Sequence, residues 1–437
     1  MVFLLQALFG RGPLRSFQSG DYTLFWLSSV AAIISHMMLL LFRGWVALEL
    51  TDSPEIVAAA ATAGELPSLI LSLPGGVLAD RFSRKWILIV TEIVTILALL
   101  GFVVLLAIDQ MEVWSLFVLS AIAGIAFAVA IPSRMAVVPN LVSRDNMANG
   151  IALSSIMFSG GMLVGSFIGG RIFDEFGGAT AFGTAAVMSI ASIVFLLFVN
   201  TRQDVREGNK TLMTVWTDTV EGAAFVWRYK VILGLMTVAG VAIIFGSPYQ
   251  TQLVVFARDV LNQGATVAGD LGAAAGAGSM TGSIVLATFS SPRAIRNLIV
   301  FGGIGFAFAL IAFSFSEILT LSLLFAYIAG FGFQSCLVAT TARAQFLISD
   351  SMRGRLSAIR TTTWGASPVG FTMIGWLAEN YGAPTATAIM GAITLGLVIV
   401  SLLIFRSLRS TAAPDRLYGD EKETGDEDMA SYSRGVT

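Results

Sequence analysis

His36, Arg43 and Glu65 are ionisable residues set inside long apolar stretches, and Gln250, Gln252 and Gln334 are amides in the same kind of setting. A charged or strongly polar group in hydrocarbon is costly unless it is paired or faces water. Each therefore marks either a functional position or a satisfied contact between helices. His36, the one histidine of the chain, suits proton transfer by its ordinary titration range. The alternative is a neutral ring hydrogen-bonded to a neighbouring helix. Glu65, just before Pro67, either exchanges a proton as access to it changes or closes an ion pair with Arg43. The three glutamines hydrogen-bond either a substrate or one another. With one histidine and one cysteine, Cys336, the chain carries no Cys/His cluster for a metal, and no cofactor is expected. H-E-x-x-H, G-x-S-x-G and the phosphate-binding G-x-x-x-x-G-K-[ST] patterns are absent from the sequence, which disfavours an enzyme or an ATP-driven pump.

A second set of charges lies between apolar stretches. In the run from Gly75 to Lys85, Gly76 allows a close backbone approach, Asp80 can accept hydrogen bonds at a helix end, and Arg81, Arg84 and Lys85 form a basic cluster. Further along, Arg134 and Arg343 close two apolar stretches, and Arg353, Arg355 and Arg360 open another. These cations either anchor topology at an anionic leaflet or form a gate. In the gate, Asp80 bridges to Arg353 or Arg355 in one state and releases them in the other. Glu92 is placed to pair with the basic turn.

The elements that hold these residues follow from composition. Apolar types make up 56% of the chain and charged types 12%, with a mean hydropathy of +0.81, well outside the balance of a soluble domain. A formal charge of -2 argues against a nucleic-acid partner. No cleavable signal peptide is expected, because Arg11, Pro13 and Arg15 follow the first apolar residues without a small-residue cleavage site. Stretches long enough to cross a bilayer fall near 22–48, 55–79, 84–108, 112–138, 147–173, 179–200, 231–257, 265–289, 294–315, 318–347, 355–379 and 384–406. The spacing predicts an all-α membrane protein with twelve transmembrane helices. Lys and Arg concentrate on the side that carries both termini, and only Arg43, Arg171 and Arg258 lie towards the other. The positive-inside rule then puts both termini in the cytoplasm of a cell that bears the protein in its inner membrane. Residues 1–200 form one six-helix bundle and 231–406 another. Between them, 201–230 is a polar linker with an amphipathic helix carrying Trp216 and Trp227 at headgroup level. Residues 407–437 are an acidic tail expected to be disordered.

The two bundles repeat. Gly165 and Gly370, Gly170 and Gly375, Phe176 and Tyr381, and Gly177 and Gly382 each stand 205 positions apart, as do Asp145 and Asp350. One shared offset over that distance points to two pseudo-symmetric bundles. In the fifth stretch Gly161, Gly165, Gly169 and Gly170 stand at spacings that let helices pack backbone to backbone.

These runs resemble the major facilitator superfamily. Gly76-Val77-Leu78-Ala79-Asp80-Arg81-Phe82-Ser83-Arg84-Lys85 is similar to its motif A, with Ser83 at the inner glycine. The Gly161 to Gly170 run resembles motif C, associated with proton-coupled exporters, with Ser166 at the proline. Phe25-Trp26-Leu27, Arg43-Gly44-Trp45, Leu66-Pro67 and Asn149-Gly150-Ile151-Ala152-Leu153 resemble the branch holding the enterobactin exporter and macrolide efflux permeases. The resemblance implies the major facilitator fold and a monomer that moves a small-molecule substrate and protons across the lipid bilayer. By that likeness it exports drugs or siderophore-like metabolites. An uptake symporter, a lipid flippase and a transport-dead sensor are the alternatives.

Overall fold

The computed structural model describes residues 12–81, 83–143, 146–200, 217, 224, 226–289, 291–348, 356, 360 and 362–409, with side chains except at 12–14, 72–81, 148, 151 and 152. Twelve membrane-crossing helices account for most of them. In chain order they are α1 (Gly20–Thr51), α2 (Pro54–Arg81), α3 (Arg84–Ala107) and α4 (Val113–Leu141). The element Met147–Leu197 holds α5 and α6, which meet at Gly177. Then come α7 (Lys230–Val260), α8 (Ala265–Thr288), α9 (Pro292–Ser314), α10 (Leu319–Leu347), α11 (Ser367–Tyr381) and α12 (Ala383–Ile404). Among the described residues, nine elements are long and apolar enough to cross a membrane, with α5 and α6 taken as one; Pro54–Arg81 and Ser367–Tyr381 are not among the nine.

Local chemistry sets the helix ends. Ser19 caps α1 by accepting from the backbone N–H of Tyr22, and Asp52 closes it in the left-handed region at φ 54°. Ser291 caps α9 in the same way, with Pro292 in its first turn. The fifth and sixth helices differ from the expected pair with a polar turn between them. Gly177 alone is non-helical, at φ 77° and ψ 170°, so a single residue turns the chain. In the eleventh span the described residues 356, 360 and 362–365 are helical, a turn falls at Ala366, and the helix resumes over Ser367–Tyr381. Pro368 fills its first turn, where a missing N–H costs nothing. Helix α7 is regular over Lys230–Val241 and Tyr249–Val255 and loosens into π turns at Ala242–Gly246 and Phe256–Val260.

Within the first bundle, α1 packs on the α5–α6 element, α2 on α4, and α3 on α4 and on α6. The second bundle pairs α8 with α10, α9 with α10 and α12, and α11 with α12. Across the two, α8 lies on α5 and α11 lies on α2. We call the end where α1 starts and α12 finishes the terminal end, and the opposite one the distal end. The buried side chains sort by end. One continuous core at the distal end draws on both bundles, joining Phe42, Phe102 and Phe173 to Tyr249, Phe313 and Met390. At the terminal end there are two separate cores, one around Tyr22, Leu88 and Val137 and one around Ile232, Ile299 and Leu402. The bundles are joined distally and packed separately at the other end.

Most of the expected linker, 201–230, and of the tail lies outside the described residues. Where the linker is described, Trp227 is well exposed. The tail starts ordered: Leu408 is fully buried, and Arg343 donates to the carbonyls of Ser407 (2.8 Å) and Leu408 (3.0 Å). An arginine satisfying the last carbonyls keeps those residues on α10.

Candidate functional site

The charges that the sequence singles out separate into three places. The first is where α1, α2 and α4 cross. Arg43 is buried on α1, and its guanidinium lies directly over Gly64, so a Cβ on Gly64 would coincide with Arg43 Nη1. Gly124 of α4 seats on the carbonyl of the same Gly64 from another side. Gly64 thus makes room for an arginine inside the membrane, and Gly124 for the close approach of α4 to α2. Glu65 follows Gly64 and is half-buried. Its charge acts on Arg43 through space, yet the two form no direct ion pair among the described residues. The expected Arg43–Glu65 bridge is therefore an open, through-space pairing.

The second place is the interior of the first bundle. Arg134 Nη2 meets Glu92 Oε1 at 2.5 Å, with both residues buried, and Arg134 Nη1 donates to Ser29 Oγ at 2.9 Å. Ser189 and Ser192 of α6 are further polar neighbours of the carboxylate. This corrects two expectations. Glu92 pairs with Arg134 rather than with the basic turn, and Arg134 is not at the end of its helix. Helix α4 continues to Leu141, two turns beyond it, which brings the guanidinium to the depth of Glu92. Beside the pair, His36 stacks on Phe127 of α4 with ring centroids 3.6 Å apart and planes within 1°. The ring meets its neighbouring helix by stacking; no hydrogen bond to it is seen among the described residues. His36, Thr91, Glu92, Thr95 and Arg134 line a narrow cavity with room for a water molecule.

The third place is the rim of the distal end, where polar contacts join the bundles. Arg258 of α7 donates to Asp52 Oδ1 (2.8 Å) and to the Leu48 carbonyl (3.0 Å) at the end of α1. Arg171 of α5 bridges to Asp270 of α8 at 2.7 Å. Asp174 accepts from the backbone N–H groups of Ala265 (2.8 Å) and Thr266 (2.6 Å), and Glu379 accepts from Ser53 Oγ (2.7 Å) and the Glu55 N–H (3.3 Å). Arg171 and Arg258 are two of the three cations that the sequence leaves on this side.

The glycines of the fifth helix have divided duties. Gly161, Gly165 and Gly169 seat Ile33, Met37 and Met38 of α1 in the same bundle, whereas Gly170 seats the Ala265 carbonyl of α8 in the other. Facing it, Gly269 seats the Ser166 carbonyl. The glutamines do not pair with one another. Gln334 donates to Ser283 of α8 at 3.2 Å. Gln252 is fully buried, reaches Thr251 at 3.4 Å and leaves its carbonyl oxygen without a partner; Gln250 is half-buried on the same short helix. Of the basic turn, Arg84 donates to the Ala136 carbonyl of α4 (2.7 Å), and Lys85 to those of Leu197 (2.9 Å) and Val199 (2.8 Å) past α6. Both act inside the first bundle, clamping helix C-terminal carbonyls. Side chains at Gly76, Asp80 and Arg81, and residues Arg353 and Arg355, lie outside the described residues.

Comparison with known proteins agrees with this architecture. Residues 11–422 match the model of the family described as transmembrane secretion effector. An uncharacterised MFS-type transporter of Bacillus subtilis, YfiS, is 23% identical over 90% of this chain and 94% of its own. The multidrug efflux pump Tap of Mycolicibacterium fortuitum is 24% identical over 85% of this chain and 92% of its own. Among solved structures, the inward open conformation of the xylose transporter XylE from E. coli superposes with a TM-score of 0.67 at 12% identity, covering 88% of this chain and 96% of XylE.

Proposed function

The chain belongs to the transmembrane secretion effector family of major facilitator transporters, and on that premise we propose that it exports amphipathic small molecules by alternating access, driven by the proton gradient. The observation that carries this reading is the divided core. The bundles share one core at the distal end and have separate cores at the terminal end, the form of a two-bundle carrier closed on one side. The excess of Lys and Arg at the terminal end supports reading that end as the cytoplasmic one, in an inner membrane with both termini inside. The conformation is then the one that takes substrate from the cytoplasm. Export of amphipathic compounds is further supported by likeness to a multidrug efflux pump along most of both chains. The protein works as a monomer, each chain holding both bundles, and its partners are the substrate and protons.

Glu65 is the residue we assign to the proton. It is a half-buried carboxyl in a membrane-spanning helix, beside a buried arginine with which it does not close. Protonating it removes the counter-charge of Arg43, so the two protonation states favour different arrangements of α1 and α2. At the terminal end, Asp80 with Arg353 and Arg355 forms the cytoplasmic gate when the carrier faces outward.

Cells with and without the protein, loaded with a panel of amphipathic dyes, test the direction. Lower accumulation of at least one dye is expected. Raised accumulation favours an uptake symporter, and unchanged accumulation across the panel removes drug-like molecules from the reading.

A further inference from the structure

We propose that Asp174 and Glu379 are repeat-equivalent positioning residues, a pair of carboxylate latches that hold the distal end shut and release in each transport cycle. The inference rests on the alternating-access reading above and adds the residues that set its balance.

The two residues stand 205 positions apart, the same offset that relates Gly165 to Gly370 and Gly177 to Gly382. Their surroundings match position by position. Each sits near the distal end of its helix, α5 or α11, and each is exposed. Three residues on, each chain turns at a glycine of positive φ, 77° at Gly177 and 83° at Gly382. Four residues before, Gly170 seats the start of α8 and Gly375 seats Ala58 near the start of α2. One turn further back, Gly165 seats α1 and Gly370 seats the Ile244 carbonyl of α7, each within its own bundle. The same spacing thus builds one seat inside the bundle, one seat on the opposite bundle, and then a carboxylate.

Both carboxylates end on the same kind of target. Asp174 accepts two backbone N–H groups from the first residues of α8, and Glu379 accepts the Glu55 N–H and the Ser53 hydroxyl at the first turn of α2. A helix start carries unpaired N–H groups and partial positive charge, so a carboxylate from the opposite bundle is held by charge-assisted hydrogen bonds. Because the sites are exposed, opening hands both the carboxylate and the N–H groups to water. The latches are therefore strong enough to bias the equilibrium and weak enough to be broken in turnover. The α5–α8 side has a second tie, Arg171 to Asp270, with no counterpart at the repeat position, which is Trp376. Release is expected to be easier at the α2–α11 side.

The test uses the full-length protein in nanodiscs with Cys336→Ser and spin labels at Thr180 and Gln263, which flank the distal rim on opposite bundles. Asp174→Asn and Glu379→Gln remove the charge and keep the shape; Asp174→Ala and Glu379→Ala remove the acceptor. Each single variant should raise the ratio of wide to narrow label distances about fivefold, and pairing the two about 25-fold, as expected for separate sites. A second label pair within one bundle should keep its distance, which separates latch release from misfolding. Unchanged distance distributions in the double alanine variant, with the within-bundle distance intact, would overturn the proposal. The readout is a distance, not transport. Opening of the rim in a protein that moves none of the dyes leaves the latch standing and sinks the export reading; dye export with an unmoved rim does the reverse.

Discussion

Arg134 and Glu92 meet at a depth where an unpaired charge is heavily penalised, and the same holds for Arg43 above Gly64. The two arginines have opposite settings. Arg134 has a closed partner and a serine, so its role is to fix α3, α4 and α1 in one arrangement. Removing one member, as in Glu92→Leu or Arg134→Met, is expected to destabilise the protein by about 3–5 kcal/mol. The double variant should recover most of that loss, because no charge is then stranded; thermal unfolding in detergent measures both. Equal stability of the single variants and wild type would show that the pair is dispensable. Arg43, with its partner open, is placed to change state. Glu65→Gln keeps hydrogen bonding but cannot titrate, so uphill export should be lost while downhill exchange survives. His36→Gln is the companion variant, and its stacking on Phe127 leads us to expect a smaller effect. Undiminished pH-driven export in both variants and their combination would take these residues out of coupling.

At the scale of elements, glycine seams decide where helices touch. Gly170 and Gly269 bring α5 and α8 so close that a Cβ on either would meet backbone. Gly170→Val should therefore wedge the distal end open while leaving α5 on α1, and a thiol at Gln263 should then react faster with an impermeant reagent from the distal side. An unaltered labelling rate would show that the seam can absorb the side chain. The seam was half legible in the sequence. The glycines and their 205-residue offset are visible there, but spacing alone could not tell which partner each glycine seats. Three of the four in the fifth helix serve α1, and only Gly170 crosses to the other bundle. The carboxylates at the same offset carried the signal for the rim contacts, and Asp against Glu hides it from a comparison made on identity. Glu92–Arg134 was concealed by a boundary: with α4 ended near 138, Arg134 reads as a surface anchor, whereas the helix carries on through Pro139 to Leu141.

For the whole molecule, the twelve-helix reading rests on apolar stretches of bilayer-crossing length together with the 205-residue repeat, because a bilayer demands about twenty apolar residues per crossing. Hydropathy is silent on state, since the same helices serve both ends of a transport cycle. State emerges from which side chains share a core, and here the shared core is distal. The exceptions to the charge rule support that division: Arg171 and Arg258, stranded on the distal side by sequence, are both spent on contacts between bundles. In the cycle we propose, the distal rim separates while the terminal end closes, and we place that closure at the Asp80 region. Asp80→Asn should slow turnover more than it weakens substrate binding and should raise thiol accessibility on the cytoplasmic side of the cavity. Wild-type turnover and accessibility in that variant would place the gate elsewhere.

Proton-driven movement of an amphipathic molecule from the terminal side to the distal side is what we propose. Its most direct test is dye flux in proteoliposomes selected for the terminal end facing outward, with an imposed pH gradient. With the lumen acidic, dye should accumulate inside above its external concentration, and a protonophore or Glu65→Gln should abolish that accumulation. Uphill dye movement out of such liposomes, or accumulation indifferent to the protonophore, would contradict the account.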